Sequence, residues 1–389
     1  MSAAPRVAVS ALFFVNGFTY GTWVAHLPLL KSGLSLSDGA LGIALLFAAL
    51  ASLVTLPLAG AWIARYGSRG IGAVASLAAI ATLVLPYLAP SYALLLGATF
   101  VLGVAYSAMD VSMNAQAILI ERATARPIMS SFHGIFSAGG LAGAVVTAAA
   151  LATGGSAVRD TVIVAAVSEV ALFVAIAFLV DDAQAATTER KTRSAARERT
   201  SRRRAPASDV ALLGILAFFG LVGEGAMADW SAIYLRTSLH AGVATAAAGF
   251  GAFSCSMALG RFAGDRIVKR IGRKTTLAAG ALLASCALAI ALVVPTVWAS
   301  CVGFACVGLG LANVIPVTFG IAGRIHGLGA GVGIAGVSTI GYAGFLIGPP
   351  LIGFISDAAS LRLALGFVVI GIALIAVLAR RVDGRALVA

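Results

Sequence analysis

The sequence predicts an all-α polytopic membrane protein, with twelve transmembrane helices in two six-helix pseudo-symmetric bundles. Three observations predict it. Hydrophobic residues make up 60% of the 389 residues and charged residues only 11%, with a mean hydropathy of +1.01. A soluble domain carries about 25% charged residues. The apolar sequence divides into runs near the about 20 residues that cross a bilayer as a helix, and helices satisfy their own backbone groups in lipid. Finally, a polar, arginine-rich stretch at 182–208 interrupts the chain at its midpoint.

In order, the first-half spans are read at 7–30, 39–64, 70–89, 91–120, 128–153 and 158–180. The second-half spans are read at 209–235, 242–265, 275–294, 296–323, 328–355 and 362–380. The domains expected are an N-terminal six-helix bundle (1–181), a cytoplasmic basic linker (182–208) and a C-terminal six-helix bundle (209–389). Pro86 and Pro295 mark turns after spans three and nine, and Pro57, Pro316 and Pro349-Pro350 are expected to interrupt spans two, ten and eleven.

Charge orients the spans. With the N-terminus inside, 23 of the 27 Lys and Arg residues fall on the cytoplasmic side. Only Lys31, Arg159, Arg236 and Arg362 fall outside. Lys and Arg set orientation, so both termini and the linker are expected in the cytoplasm of a cell whose inner membrane the chain crosses. The net charge of +12 does not point to nucleic acid, because the basic residues lie in short loops and the arginine-rich segment lacks stacking aromatics. The linker is expected to contact anionic lipid. The apolar run after Arg6 is too long for a signal peptide and reads as a retained first span.

Cys255, Cys286, Cys301 and Cys306 all lie in apolar runs and read as packing residues rather than metal ligands or disulfides. No nucleophile–base or metal-ligand cluster is recognisable, so no enzyme activity, metal or cofactor is expected. Without a Walker A sequence, ATP is not the expected energy source. Gly331-Val-Gly333-Ile-Ala-Gly336 matches a dinucleotide fingerprint in letters only, lacking the preceding strand.

Ionisable residues inside spans are costly and mark function by default. Tyr106, Ser107, Asp110 and Asn114 share one face of span four, a proton-carrying carboxylate beside a hydrogen-bonding amide. Glu224 and Ser231 share a face of span seven, making Glu224 the second proton candidate; Asp229 is expected to pair with Arg236. His133 in span five is a candidate relay. Glu169 has no assigned role. Asn16, Tyr20, Trp23 and His26 line span one, where amides and rings suit a polar organic ligand and Trp23 and His26 also fit an interfacial anchor. Asn313, Ser338 and Tyr342 complete the substrate candidates.

The halves also repeat. Gly60 through Arg65, Gly67 and Arg69 follow span two, and Gly260-Arg261, Asp265-Arg266 and Gly272-Arg273-Lys274 follow span eight. Parallel repeats are a transporter architecture. On these motifs the chain resembles the major facilitator superfamily, which implies that fold and makes Arg65, Arg69, Arg261, Asp265 and Arg266 gating-loop residues. Ala64 stands where the family has Asp. Asp110-x-x-x-Asn114, Gly223-Glu224 with Trp230, and Gly353-Phe-Ile-Ser-Asp357 resemble the fucose-permease-like branch. Met109 through Gln116 with Ser131-Phe-His-Gly134 is similar to its YbjJ-like members. That resemblance implies proton-coupled uptake of a sugar-like solute with Asp110 as proton carrier, although span one has Asn16 and no carboxylate. The expected partners are a small solute, protons and lipid, and the expected state is a monomer. The alternatives are a proton-driven exporter of metabolites or drugs, and a sensor that binds without transporting.

Overall fold

The computed structural model describes residues 4–124, 128–181, 207–325 and 330–382, and among these every regular element is helical. Most of the basic linker therefore lies outside the described residues. The first half contains α1 (Ala4–Gly33), α2 (Asp38–Tyr66), α3 (Ser68–Thr82), the short α4 (Leu85–Leu88), α5 (Tyr92–Thr124), α6 (Met129–Ala152) and α7 (Ala157–Ile176). The second contains α8 (Ala207–Ile233), α9 (Val243–Ile271), α10 (Arg273–Val293), α11 (Val297–Leu311), α12 (Val314–Ala322), α13 (Ala330–Ala358) and α14 (Leu361–Leu378).

Eleven stretches among the described residues are long and apolar enough to cross a membrane. The remaining expected span is α7, 20 residues long, which carries Arg159, Asp160 and Glu169. Span three is α3 plus α4, so Pro86 lies in the first turn of α4 and not in the turn that follows the span. Proline fits there because first-turn N–H groups have no helical partner. Span ten breaks at Ala312-Asn313, and Pro316 occupies the first turn of α12. By contrast α2 and α13 continue through Pro57 and Pro349-Pro350. The expected interruptions there are not seen.

Two compact units divide the chain. The first comprises Met1–Leu36 and Ile43–Arg199, and the second Ser37–Gly42 and Thr200–Ala389. In the first unit α1 packs along α6 and α7, and α3 along α5. The α1–α6 contact is glycine against backbone. A Cβ on Gly17 would lie 1.9 Å from the Phe136 carbonyl oxygen, and one on Gly21 2.1 Å from that of Gly140. From the other side, a Cβ on Gly139 would lie 2.2 Å from the Phe14 carbonyl oxygen, and one on Gly143 2.0 Å from that of Phe18. Small residues four apart on both helices allow this approach, because association in lipid depends on close packing. The end of this bundle near α3 is tied by Gln116, fully buried on α5. Its amide nitrogen donates to Ser68 Oγ (2.7 Å) and the Val180 carbonyl (2.9 Å), while its oxygen accepts from the Val180 N–H (2.9 Å).

In the second unit α8 packs along α13 and α14, and α11 along α9 and α10. The start of α2 belongs to this unit. The Asp357 carboxylate, at the end of α13, accepts from Ser37 Oγ (2.7 Å) and the backbone N–H groups of Asp38 and Gly39 (2.9 Å each). Ser356 Oγ donates in return to the Asp38 carboxylate. Helix-start N–H groups need an acceptor, and here one helix caps another.

Candidate functional site

On α5, the Asn114 side-chain nitrogen donates to the Asp110 carbonyl (2.9 Å) and to Asp110 Oδ1 (3.2 Å), so the carboxylate and the amide form one unit on one helix face. Ser107 Oγ donates to Ser52 Oγ of α2 at 2.6 Å, and the Tyr106 hydroxyl is enclosed beside Thr19 of α1. Asp110 has no cationic partner among the described residues.

The α1 stripe divides in two. Asn16 is 6% exposed, and the Tyr20 ring leans on Phe136 of α6. Trp23 and His26 are both buried, and their rings pack against Tyr87 of α4 at 5.6 and 5.7 Å. Both side chains are thus enclosed by protein within the first unit. His133, half-buried on α6, meets Phe13 of α1 edge-on at 5.4 Å, and its carbonyl accepts from Ser137 Oγ. Glu169 is half-buried on α7.

In the second unit Glu224 of α8 is not a lone carboxylate. Arg261 Nη2 of α9 sits 3.0 Å from Glu224 Oε1 and 3.3 Å from Oε2. A guanidinium reaching both oxygens neutralises the pair and fixes its orientation. The Asp229–Arg236 pair expected from sequence does not form. Arg236 donates instead to the Ala241 carbonyl (2.9 Å), across a π-helical turn at Tyr234–Ser238, and Asp229 has no ionic or hydrogen-bond partner among the described residues while 9% exposed. Ser231 is fully enclosed, Ser338 half-buried and Tyr342 exposed. Asn313 lies at the α11–α12 break, where its side-chain nitrogen donates to the Gly260 carbonyl (3.2 Å) and its oxygen fills the space a Gly264 Cβ would need.

The helix ends also correct the register of the repeat. Gly67 (φ 82°) separates α2 from α3, and Gly272 (φ 77°) separates α9 from α10. Positive φ is where glycine is the default residue, so these two correspond. Counting back from them, Arg65 matches Arg270, and Asp265, seven residues before Gly272, matches Gly60. Arg261, Asp265 and Arg266 are therefore residues of the α9 helix, not of a loop. Asp265 and Arg266 are exposed there, whereas Arg261 is 11% exposed in its pair with Glu224. On the first copy Arg65 lies over the Tyr66 ring (5.1 Å), and Arg69 donates to the Ala177 carbonyl (3.3 Å) and approaches Asp181 (3.9 Å).

Three carboxylates were assigned no role from the sequence. Asp160, at 5% exposure, opens the first turn of α7 and faces His26; its only sequence signal is Ser156 four residues earlier, the cap of α7. Asp38 opens α2, and Asp357 enters the sequence reading only as the last residue of the Gly353–Asp357 resemblance. No group of three His, Cys, Asp or Glu residues among the described residues is arranged to hold a metal.

A family model described as Major Facilitator Superfamily matches residues 9–267 and 221–386. An uncharacterized MFS-type transporter of Yersinia pestis is 33% identical over 378 residues, covering 97% of this chain and 95% of its own. Membrane protein MosC of Rhizobium meliloti is 34% identical over 362 residues, covering 93% and 86%. Among solved structures, the nucleoside transporter NupG aligns with a TM-score of 0.77 at 11% identity, covering 97% of this chain and 99% of that one. A bacterial homolog to the human lysosomal transporter Spinster, in an inward-facing and occupied conformation, aligns at 0.74 with 14% identity, covering 99% of each. At those identities the likeness to the solved structures is one of fold.

Proposed function

Because this chain belongs to the major facilitator superfamily, a family of multi-pass membrane transporters, we propose that it moves a small, polar, sugar-like solute across the inner membrane by proton-coupled alternating access. In this reading both termini and the basic linker lie in the cytoplasm. The observation that carries the coupling is the Asp110–Asn114 unit, an intramembrane carboxylate with an amide donor and no cation beside it among the described residues. Such a carboxylate can bind and release a proton as its access changes, while the amide and the neighbouring Tyr106 offer hydrogen bonds to a hydroxylated solute. Glu224 is less suited to the role, since Arg261 already compensates its charge.

The solute shifts the two access states only through differential affinity. A panel of monosaccharides, polyols and nucleosides, screened by thermal shift on the purified protein, identifies it because a binder stabilises the native state. Reconstituted vesicles with an imposed pH gradient then test coupling. The wild type accumulates the solute, and Asp110→Asn loses gradient-driven accumulation while keeping solute exchange. Undiminished accumulation by Asp110→Asn overturns the coupling assignment, and movement of the solute only against an inward proton flux makes the chain an exporter.

A further inference from the structure

A second set of titratable groups lies within the first unit, on α1 and α7. His26 is fully buried on α1, and its Nδ1 is 2.9 Å from the Thr22 carbonyl oxygen. A carbonyl only accepts, so Nδ1 carries hydrogen and the neutral ring presents a bare lone pair at Nε2. That lone pair faces Asp160 Oδ2 of α7 at 3.7 Å. Neither atom has a hydrogen-bond partner among the described residues. Two acceptors buried face to face leave both unsatisfied, which is costly away from water. One proton between them removes the conflict.

We propose that His26 Nε2 and Asp160 Oδ2 form a proton-binding site linking α1 to α7. A proton taken from water onto Nε2 gives a doubly protonated imidazole whose Nε2–H donates to Oδ2, closing a charge-assisted bond between the two helices. Its release returns the facing lone pairs and loosens that tie. No other atom is exchanged. The surroundings suit a site for a proton and not for a larger ion. Thr22 fixes the ring, Tyr87 of α4 covers its face edge-on at 5.7 Å, and the Tyr87 hydroxyl is spent on the Trp23 carbonyl (3.2 Å). The other carboxylate oxygen, Asp160 Oδ1, is held by Arg159 Nε at 3.3 Å. Arg159 is 56% exposed, so protons reach the pair along the Arg159–Asp160 edge.

The remaining titratable and charged groups on the elements packed against the pair are few. They are Arg6, Tyr20 and Lys31 on α1, Arg69 on α3, Tyr92, Tyr106, Asp110 and Glu121 on α5, His133 on α6 against Phe13, and Glu169 further along α7. In transport the site would supply a second proton position beside Asp110. That role rests on the proton-coupled reading above, whereas the existence of the site does not.

The test is histidine nuclear magnetic resonance on full-length, ring-15N-labelled protein in lipid nanodiscs, titrated from about pH 8 to 5. The chain has four histidines, and His26→Gln identifies the His26 resonance by its loss. The expected result is that Nε2 of His26 gains a proton within this range while Nδ1 stays protonated, and that Asp160→Asn abolishes or displaces the transition. Asp160→Glu, which keeps the charge, preserves the transition and serves if the amide variant does not fold. A His26 ring that stays neutral throughout, or that titrates identically in Asp160→Asn, overturns the proposal. If His26 titrates with Asp160 but vesicles show no gradient-driven uptake, the site stands and the proton-coupled reading fails.

Discussion

The guanidinium of Arg261 spans both carboxylate oxygens of Glu224, at 3.0 and 3.3 Å, and joins α8 to α9 inside the second unit. Removing one member of a buried pair strands the other. Arg261→Met is expected to destabilise the protein by about 3 kcal/mol, the lower end for a buried pair, because Glu224 keeps 21% exposure. The double variant with Glu224→Gln should recover most of the loss. Denaturant unfolding of the purified protein measures both.

Asp357 caps α2 from another helix. Asp357→Ala is expected to cost about 1–2 kcal/mol, the range for losing a helix cap. The distinguishing readout is hydrogen exchange, in which the Asp38 and Gly39 amides lose protection while the interior of α2 keeps it.

Gln116 makes three bonds from a fully buried position. Gln116→Leu fills the volume but leaves Ser68 and both backbone groups of Val180 without those partners. The expected loss is about 2–3 kcal/mol, read as a lower unfolding temperature. Gln116→Glu should be milder than leucine at low pH, where a neutral carboxyl group can both donate and accept.

Two glycine substitutions are expected to differ in sign. Gly21→Ala forces α1 off α6, because its Cβ would meet the Gly140 carbonyl oxygen at 2.1 Å, and it should cost about 1–3 kcal/mol. Gly97→Ala on α5 meets nothing within 4 Å and should stabilise by about 0.5–1 kcal/mol through helix propensity. Thermal unfolding of the two variants side by side checks the contrast.

The helical class was legible because hydropathy and span length depend on composition along the chain, which no tertiary contact alters. Even α7, with Arg159, Asp160 and Glu169, lies within the apolar run read as the span 158–180. The Asp110–Asn114 unit was legible for a similar reason: residues four apart on a helix meet by geometry alone. What stayed hidden needed a second helix. Arg261 looked like part of a loop motif because sequence does not show that α9 runs on to Ile271, nor that Glu224 waits across the contact. The His26–Asp160 pairing joins helices that pack together but lie most of a bundle apart in sequence. Asp229 and Arg236 share a face on an ideal α-helix, but the π-helical turn at Tyr234–Ser238 and the Ala241 carbonyl take Arg236 elsewhere.

Gly67 and Gly272, each alone at positive φ between two helices, make the chain its own control. Measured from these fixed points, both copies keep an arginine two residues before the glycine and a cation two residues after it, while the acid Asp265 has only Gly60 as its counterpart. Whatever the duplicated corner does in common is thus a matter of chain path and positive charge. The carboxylate is a later speciality of one copy or a loss from the other, and exchanging residues between the two corners of the same molecule separates inherited architecture from acquired chemistry.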